Sequence, residues 1–125
     1  MLTLDEFLIS NISQHNRLLI RQLQEIRDDI FLTLENFQYD PKLGLAIFQV
    51  QSCHVEAKIF FLEVEIETYK FPFYAPKVKF LPESDIPKNK FIKLDNSIKI
   101  DDRSWSAAMR LTHLIFTITS ENMDE

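Results

Sequence analysis

The chain is short of the residues that loosen or cross-link a fold. Among 125 residues there is one glycine, Gly44, and one cysteine, Cys53. One thiol builds neither a disulfide framework nor a zinc site, so a reducing compartment is expected. No apolar run approaches the roughly 20 residues of a membrane span. The opening MLTLDEFLIS carries Asp5 and Glu6 with no basic lead, unlike a secretory signal. A basic excess is lacking too. The net charge is −5 and the isoelectric point about 5.2, which argues against a general nucleic-acid binder while leaving room for a local basic patch. The three histidines, His15, His54 and His113, are scattered, so neither a metal site nor a cofactor is expected. These absences predict a soluble cytoplasmic or nuclear protein with no nucleic-acid and no membrane partner.

What is present is apolar and aromatic. Apolar residues make up 46% of the chain and eleven are phenylalanine, enough for one domain, 1–125, around an aromatic-rich core. Thr3 and Glu6 have the spacing of a capping box. Residues 1–13 are nevertheless expected to be a loose start, with a frayed turn or an anchor for a partner as alternatives. Residues 14–29 read as a helix with an apolar stripe of Leu19, Leu23, Ile26 and Ile30, capped by Asn16 or Ser13. Arg17, Arg21, Gln24 and Arg27 lie off the stripe. Segments 31–38, 43–50 and 57–68 read as strands, the second apolar on both faces and so central. In the third, Leu62, Val64 and Ile66 alternate with Glu63, Glu65 and Glu67. The glutamate row fits a solvated strand face, with a contact for a basic partner as the alternative. Val78 and Phe80, flanked by Lys77 and Lys79, make a fourth, edge-like strand. Residues 81–105 have little periodicity, and 106–120 read as a second helix capped by Ser104 or Ser106. The first helix is expected to pack through Leu19, Leu23 and Ile26 on Leu62, Val64 and Phe80. The order predicts an α+β fold: a helix, a four-stranded antiparallel meander, a long ordered loop, then a helix on the sheet.

Between the third and fourth strands lies FPFYAPKVKF, residues 71–80. Pro72 and Pro76 cannot donate to a sheet ladder and so lie outside it. This stretch is similar to the proline motif of the ubiquitin-conjugating fold, with Phe71 in place of a tyrosine and Ala75 in place of the first of two paired prolines. Trp105, followed by Ser106 and the Ala-Ala-Met-Arg-Leu helix start, resembles that family's tryptophan and its next helix, with Ala107 where a proline is usual. Helix 14–29 matches the family's first helix. The resemblance covers about residues 14–122.

The resemblance implies a reaction whose residues this chain lacks. Catalytic members hold an acyl group as a thioester on a loop cysteine shortly before the tryptophan, because sulfur is both a good nucleophile and a good leaving group. In DNSIKIDDRSW, residues 95–105, that position falls on Lys99, or on Ser97 by an ungapped count from Trp105. The supporting His-Pro-Asn triplet has no match, leaving Asn89 as the one candidate amide. Lys99 reads as a solvated loop residue, since an amide formed on it would be a dead end. Cys53 lies at a turn with no base or helix start to activate it, and His54 reads as a turn residue. Asp101, Asp102 and Arg103 fit either a polar loop or a contact cluster.

A non-catalytic conjugating-enzyme variant is therefore expected. It would bind an active conjugating enzyme, ubiquitin or a ubiquitin-like protein, and a ligase. The ending SENMDE, close behind the last helix, resembles such variants. The resemblance directs binding to the first helix, through Arg17 and Arg21, and to the corner, through Phe73 and Tyr74. For the two aromatics the alternative is that both rings fold back on the core. Two further readings stand beside this one. The first is a conjugating enzyme of the neddylation branch with a divergent or altered loop, suggested by APKVKF and the Asp40-Pro41 turn. The second is an RWD-type interaction domain.

Overall fold

The computed structural model describes residues 1–9, 16–88, 91–93, 95, 98, 100 and 105–120. Four strands, β1 (Leu32–Asp40), β2 (Leu45–Ser52), β3 (Phe60–Glu67) and β4 (Lys77–Phe80), form one antiparallel sheet in the order β1-β2-β3-β4. Among the described residues three helices accompany them: α1 (Leu4–Ile9), α2 (Arg17–Asp28) and α3 (Leu111–Ile118). The fold is α+β, with helices before and after a four-stranded meander. Among the described residues no helix is long and apolar enough to cross a membrane.

Period-two patterning sets the sheet's two faces. Ala46, Phe48 and Val50 of β2 and Leu62, Val64 and Ile66 of β3 are buried, and join the buried residues of α2 and α3 in one core. The opposite face carries Glu63 and Glu65, which sit across from Lys79 and Lys77 of β4. β1 breaks its alternation at a bulge between Glu35 and Gln38, where Asn36 has φ 55° and its amide donates to Gln49 Oε1 at 2.8 Å. Beyond the short β4 the edge of β3 is sealed by side chains. Phe61 N–H donates to Ser84 Oγ at 2.8 Å and Ile59 N–H to Asp85 Oδ2 at 2.8 Å.

The β1–β2 turn explains the single glycine. Asp40 Oδ1 accepts from the backbone of Lys42 and Leu43 at 2.9 and 3.3 Å, and Gly44 then takes φ +62°. A Cβ at Gly44 would also run into the ring of Tyr69.

The start of the chain, expected to be loose, is tied to the chain's own core over residues 1–9. Glu6 N–H donates to Thr3 Oγ1 at 3.3 Å and Thr3 N–H to Glu6 Oε1 at 3.0 Å, the reciprocal capping box that the spacing predicts. Phe7 is 0% exposed, with its ring 5.3 Å from that of Phe37 and 4.7 Å from that of Tyr39. Leu2 and Tyr39 exchange both backbone hydrogen bonds at 2.8 and 3.0 Å. Residues 10–13 lie outside the described residues.

The helices depart from expectation at their ends. Leu19, Leu23 and Ile26 are buried as the stripe predicts, but Ile30 lies past the helix and is 87% exposed. The chain has already turned into β1 there, so the helical period no longer applies. The Asn16 side chain makes no capping bond and is buried, and Ser13 lies outside the described residues. α2 rests chiefly on β1 and α3 rather than on β3 and β4. α3 starts at Leu111 with Arg110 as its cap residue, several residues after the expected start. Its first N–H, that of Leu111, donates to Gln22 Oε1 of α2 at 2.8 Å, inside the core. A side chain from another helix thus does the work expected of Ser104 or Ser106.

Candidate functional site

The corner between β3 and β4 is built from its backbone outward. Past Glu67, Thr68 N–H and Oγ1 both donate to the Gly44 carbonyl, at 2.8 and 2.9 Å, which ties the corner to the β1–β2 turn. Lys70 and Phe71 N–H return to the Glu67 carbonyl at 3.0 and 3.1 Å, and Tyr74 N–H to the Lys70 carbonyl at 3.0 Å. The Phe71–Pro72 peptide is cis. Phe71 is buried, its ring 6.1 Å from that of Trp105. The Trp105 Nε1–H donates to the Pro72 carbonyl at 2.7 Å. Pro76 is buried, and β4 begins at the next residue, so both prolines lie outside the ladder as expected.

This bracing leaves two rings in solvent. Phe73 is 75% exposed and Tyr74 65% exposed, so neither folds back on the core. Tyr69 is also exposed, with its ring against Gly44 of the β1–β2 turn. The Lys70 ammonium lies 5.8 Å from the centre of the Tyr74 ring and 3.0 Å from Glu67 Oε2. A pocket here, between Lys70, Tyr74 and Pro76, has a volume of about 30 Å³. That is room for a water and not for a small-molecule substrate. The corner's chemistry is therefore that of a surface: aromatic rings on a fixed backbone, the type of residue that anchors protein interfaces.

Arg17 and Arg21 are one helical turn apart on α2, both exposed, and neither has an ion-pair partner among the described residues. Arg27 and Arg110 do, with Asp5 at 3.5 Å and Glu25 at 3.9 Å. No hydrogen bond, ion pair or ring contact among the described residues joins Arg17 or Arg21 to Phe73 or Tyr74. The described residues therefore do not bring the two pairs that the resemblance singles out into contact.

The remaining candidates are dispersed. Glu63 pairs with Lys79 at 3.4 Å and Glu65 with Lys77 at 3.8 Å across the strands, and Glu67 with Lys70. The glutamate row is therefore neutralised within the chain. Cys53 is exposed, with its Sγ 3.5 Å from the Phe31 carbonyl. His54 turns away from it, with Ser52 Oγ at 2.6 Å from Nδ1 and Thr119 Oγ1 at 3.3 Å from Nε2. Burial holds the His54 imidazole below the ordinary histidine range, with the nearby charge of Asp29 opposing that shift. His113 is exposed on α3. His15, Asn89, Ser97, Lys99 and Asp101–Arg103 lie outside the described residues. Among the described residues no group of three His, Cys, Asp or Glu side chains is gathered to hold a metal ion.

Sequence reasoning missed Lys70, Tyr69 and the Pro72 carbonyl as parts of the corner. Lys70 had a signal, its spacing of four before Tyr74. The Pro72 carbonyl had none, because backbone acceptors leave no trace in residue identity. No family model, no curated protein and no solved structure matches the chain.

Proposed function

We propose that the chain is a non-catalytic variant of the ubiquitin-conjugating fold. It binds an active conjugating enzyme, a ubiquitin-like modifier, or both, in the cytoplasm or nucleus. The observation that carries this reading is the corner: Phe73 and Tyr74 stand in solvent on a backbone fixed by Trp105 through the Pro72 carbonyl. A backbone held rigid before contact loses little freedom on binding, so more of the rings' burial appears as affinity. Three further observations support it. The order of helix, four-stranded meander and final helix is the order the resemblance implies. Arg17 and Arg21 are spare cations on the helix in the position of the family's first. A thioester needs a thiol, and the loop positions where the resemblance expects one hold Ser97 and Lys99; the chain's single thiol is Cys53, whose neighbouring histidine is bonded elsewhere.

The test is a charging and binding assay on the full chain. With activating enzyme, ATP and ubiquitin or its relatives, no adduct that a thiol reductant cleaves should form. With purified active conjugating enzymes and free modifiers, at least one should bind. A reductant-sensitive adduct that disappears in Cys53→Ser would make the chain an enzyme and overturn the reading.

A further inference from the structure

Away from the corner, His54 sits where the β2–β3 loop meets the last turn of α3. Its ring is in edge contact with that of Phe116 at 4.7 Å and lies 6.0 Å from that of Phe60. Both ring nitrogens have partners, and those partners define the tautomer. Ser52, 0% exposed, has its hydroxyl 2.6 Å from Nδ1, and no other acceptor for it occurs among the described residues. Its hydrogen therefore points at Nδ1, which must be the bare nitrogen. Thr119 Oγ1 has already given its hydrogen to the Ile115 carbonyl at 2.7 Å, so it can only accept from Nε2–H, at 3.3 Å. One directed chain results: Ser52 donates to His54, His54 to Thr119, and Thr119 to the backbone of α3.

We infer that His54 is a proton-operated latch: neutral and protonated at Nε2, it fastens the β2–β3 loop to the C-terminal end of α3, and a second proton on Nδ1 opens it. The imidazolium would present Nδ1–H to a hydroxyl whose own hydrogen then has no acceptor in a buried site. Among the described residues, the charged groups of the surrounding elements are Asp29 before β1, Glu56 and Lys58 in the loop, and His113 on α3. Of these, Asp29 is the one whose charge bears on the ring, and it favours the cation, against the stronger effect of burial. The folded state thus prefers the neutral ring. Stability from the latch is complete above the unfolded histidine value of 6.5 and is lost as pH falls through the lower, folded value.

The experiment is nitrogen-15 NMR of the histidine rings in the full chain across a pH series, read together with amide exchange at Thr119 and Ser120. The latch predicts an unprotonated Nδ1 and a protonated Nε2 for His54 at neutral pH. It predicts a midpoint below 6.5 and loss of protection at the end of α3 through that same midpoint. Ser52→Ala, which removes the donor to the neutral ring, should raise the midpoint. His54→Gln should make exchange at the α3 end indifferent to pH over this range. A proton on Nδ1 at neutral pH, a midpoint at or above 6.5, or protection at the α3 end that ignores the titration would each overturn the inference. The first two outcomes are read on the unmodified chain and need no variant to fold.

Discussion

The indole nitrogen of Trp105 donates to the carbonyl of Pro72 at 2.7 Å, between residues 33 positions apart. The bond fastens the segment leading into α3 to the corner between β3 and β4. It also sets Trp105 beside Phe71, their rings tilted by 47°, so the same residue fills the core and holds the backbone on which Phe73 and Tyr74 stand.

Trp105→Phe keeps much of the ring and loses the donor. It should cost about 1 kcal/mol for the hydrogen bond, plus the packing of the smaller ring. Trp105→Ala should cost about 3–5 kcal/mol. Urea unfolding measures both. A loss below about 1 kcal/mol for the alanine variant would mean that the corner is braced by something else.

Gln22 is the cap of a helix to which it does not belong. In Gln22→Ala the buried Leu111 N–H loses its acceptor, at a cost of about 1–3 kcal/mol. Leu23→Ala, one position on and fully buried, should cost about 2–5 kcal/mol through the cavity it leaves. Amide exchange separates the two, because only the Gln22 variant should specifically expose the first turn of α3.

Gly44→Ala meets two obstacles, the positive φ and the Tyr69 ring. The variant should lose about 1 kcal/mol or more from backbone strain alone. Combining it with Tyr69→Ala should recover the steric part and leave the strain. A double-mutant cycle with no coupling would show that the two residues do not touch in solution.

The Glu6 carboxyl is held below its ordinary value of 4.5, first by the Thr3 backbone N–H and then by the Thr3 hydroxyl. A lowered carboxylate stabilises the fold above its unfolded value and loses that contribution as pH falls through its folded one. Amide protection at Phe7 should therefore weaken on acidification below 4.5, and Glu6→Gln should weaken that dependence.

Elements that rest on local pattern were legible in the sequence. β3 and β4 follow from alternation of apolar and charged residues, and α2 from Leu19, Leu23 and Ile26. The features that were hidden depend on remote partners. Phe7 holds α1 only because Phe37 and Tyr39 await it, and α3 starts late because its cap comes from Gln22, 89 positions earlier. The bulge at Asn36 opposes two residues to one, which no strict period can reveal. The aromatic corner was visible as FPFYAP, but not whether its rings faced out.

The most direct measurement is the affinity of the full chain for a bound active conjugating enzyme or ubiquitin-like modifier, before and after Phe73→Ala combined with Tyr74→Ala. Both rings are exposed and make no core contacts, so unfolding by urea should be nearly unchanged. If they anchor the interface, the pair should cost about 2 kcal/mol or more of binding, roughly thirtyfold or greater. Equal affinity in a variant that is still folded would contradict the corner as the docking surface.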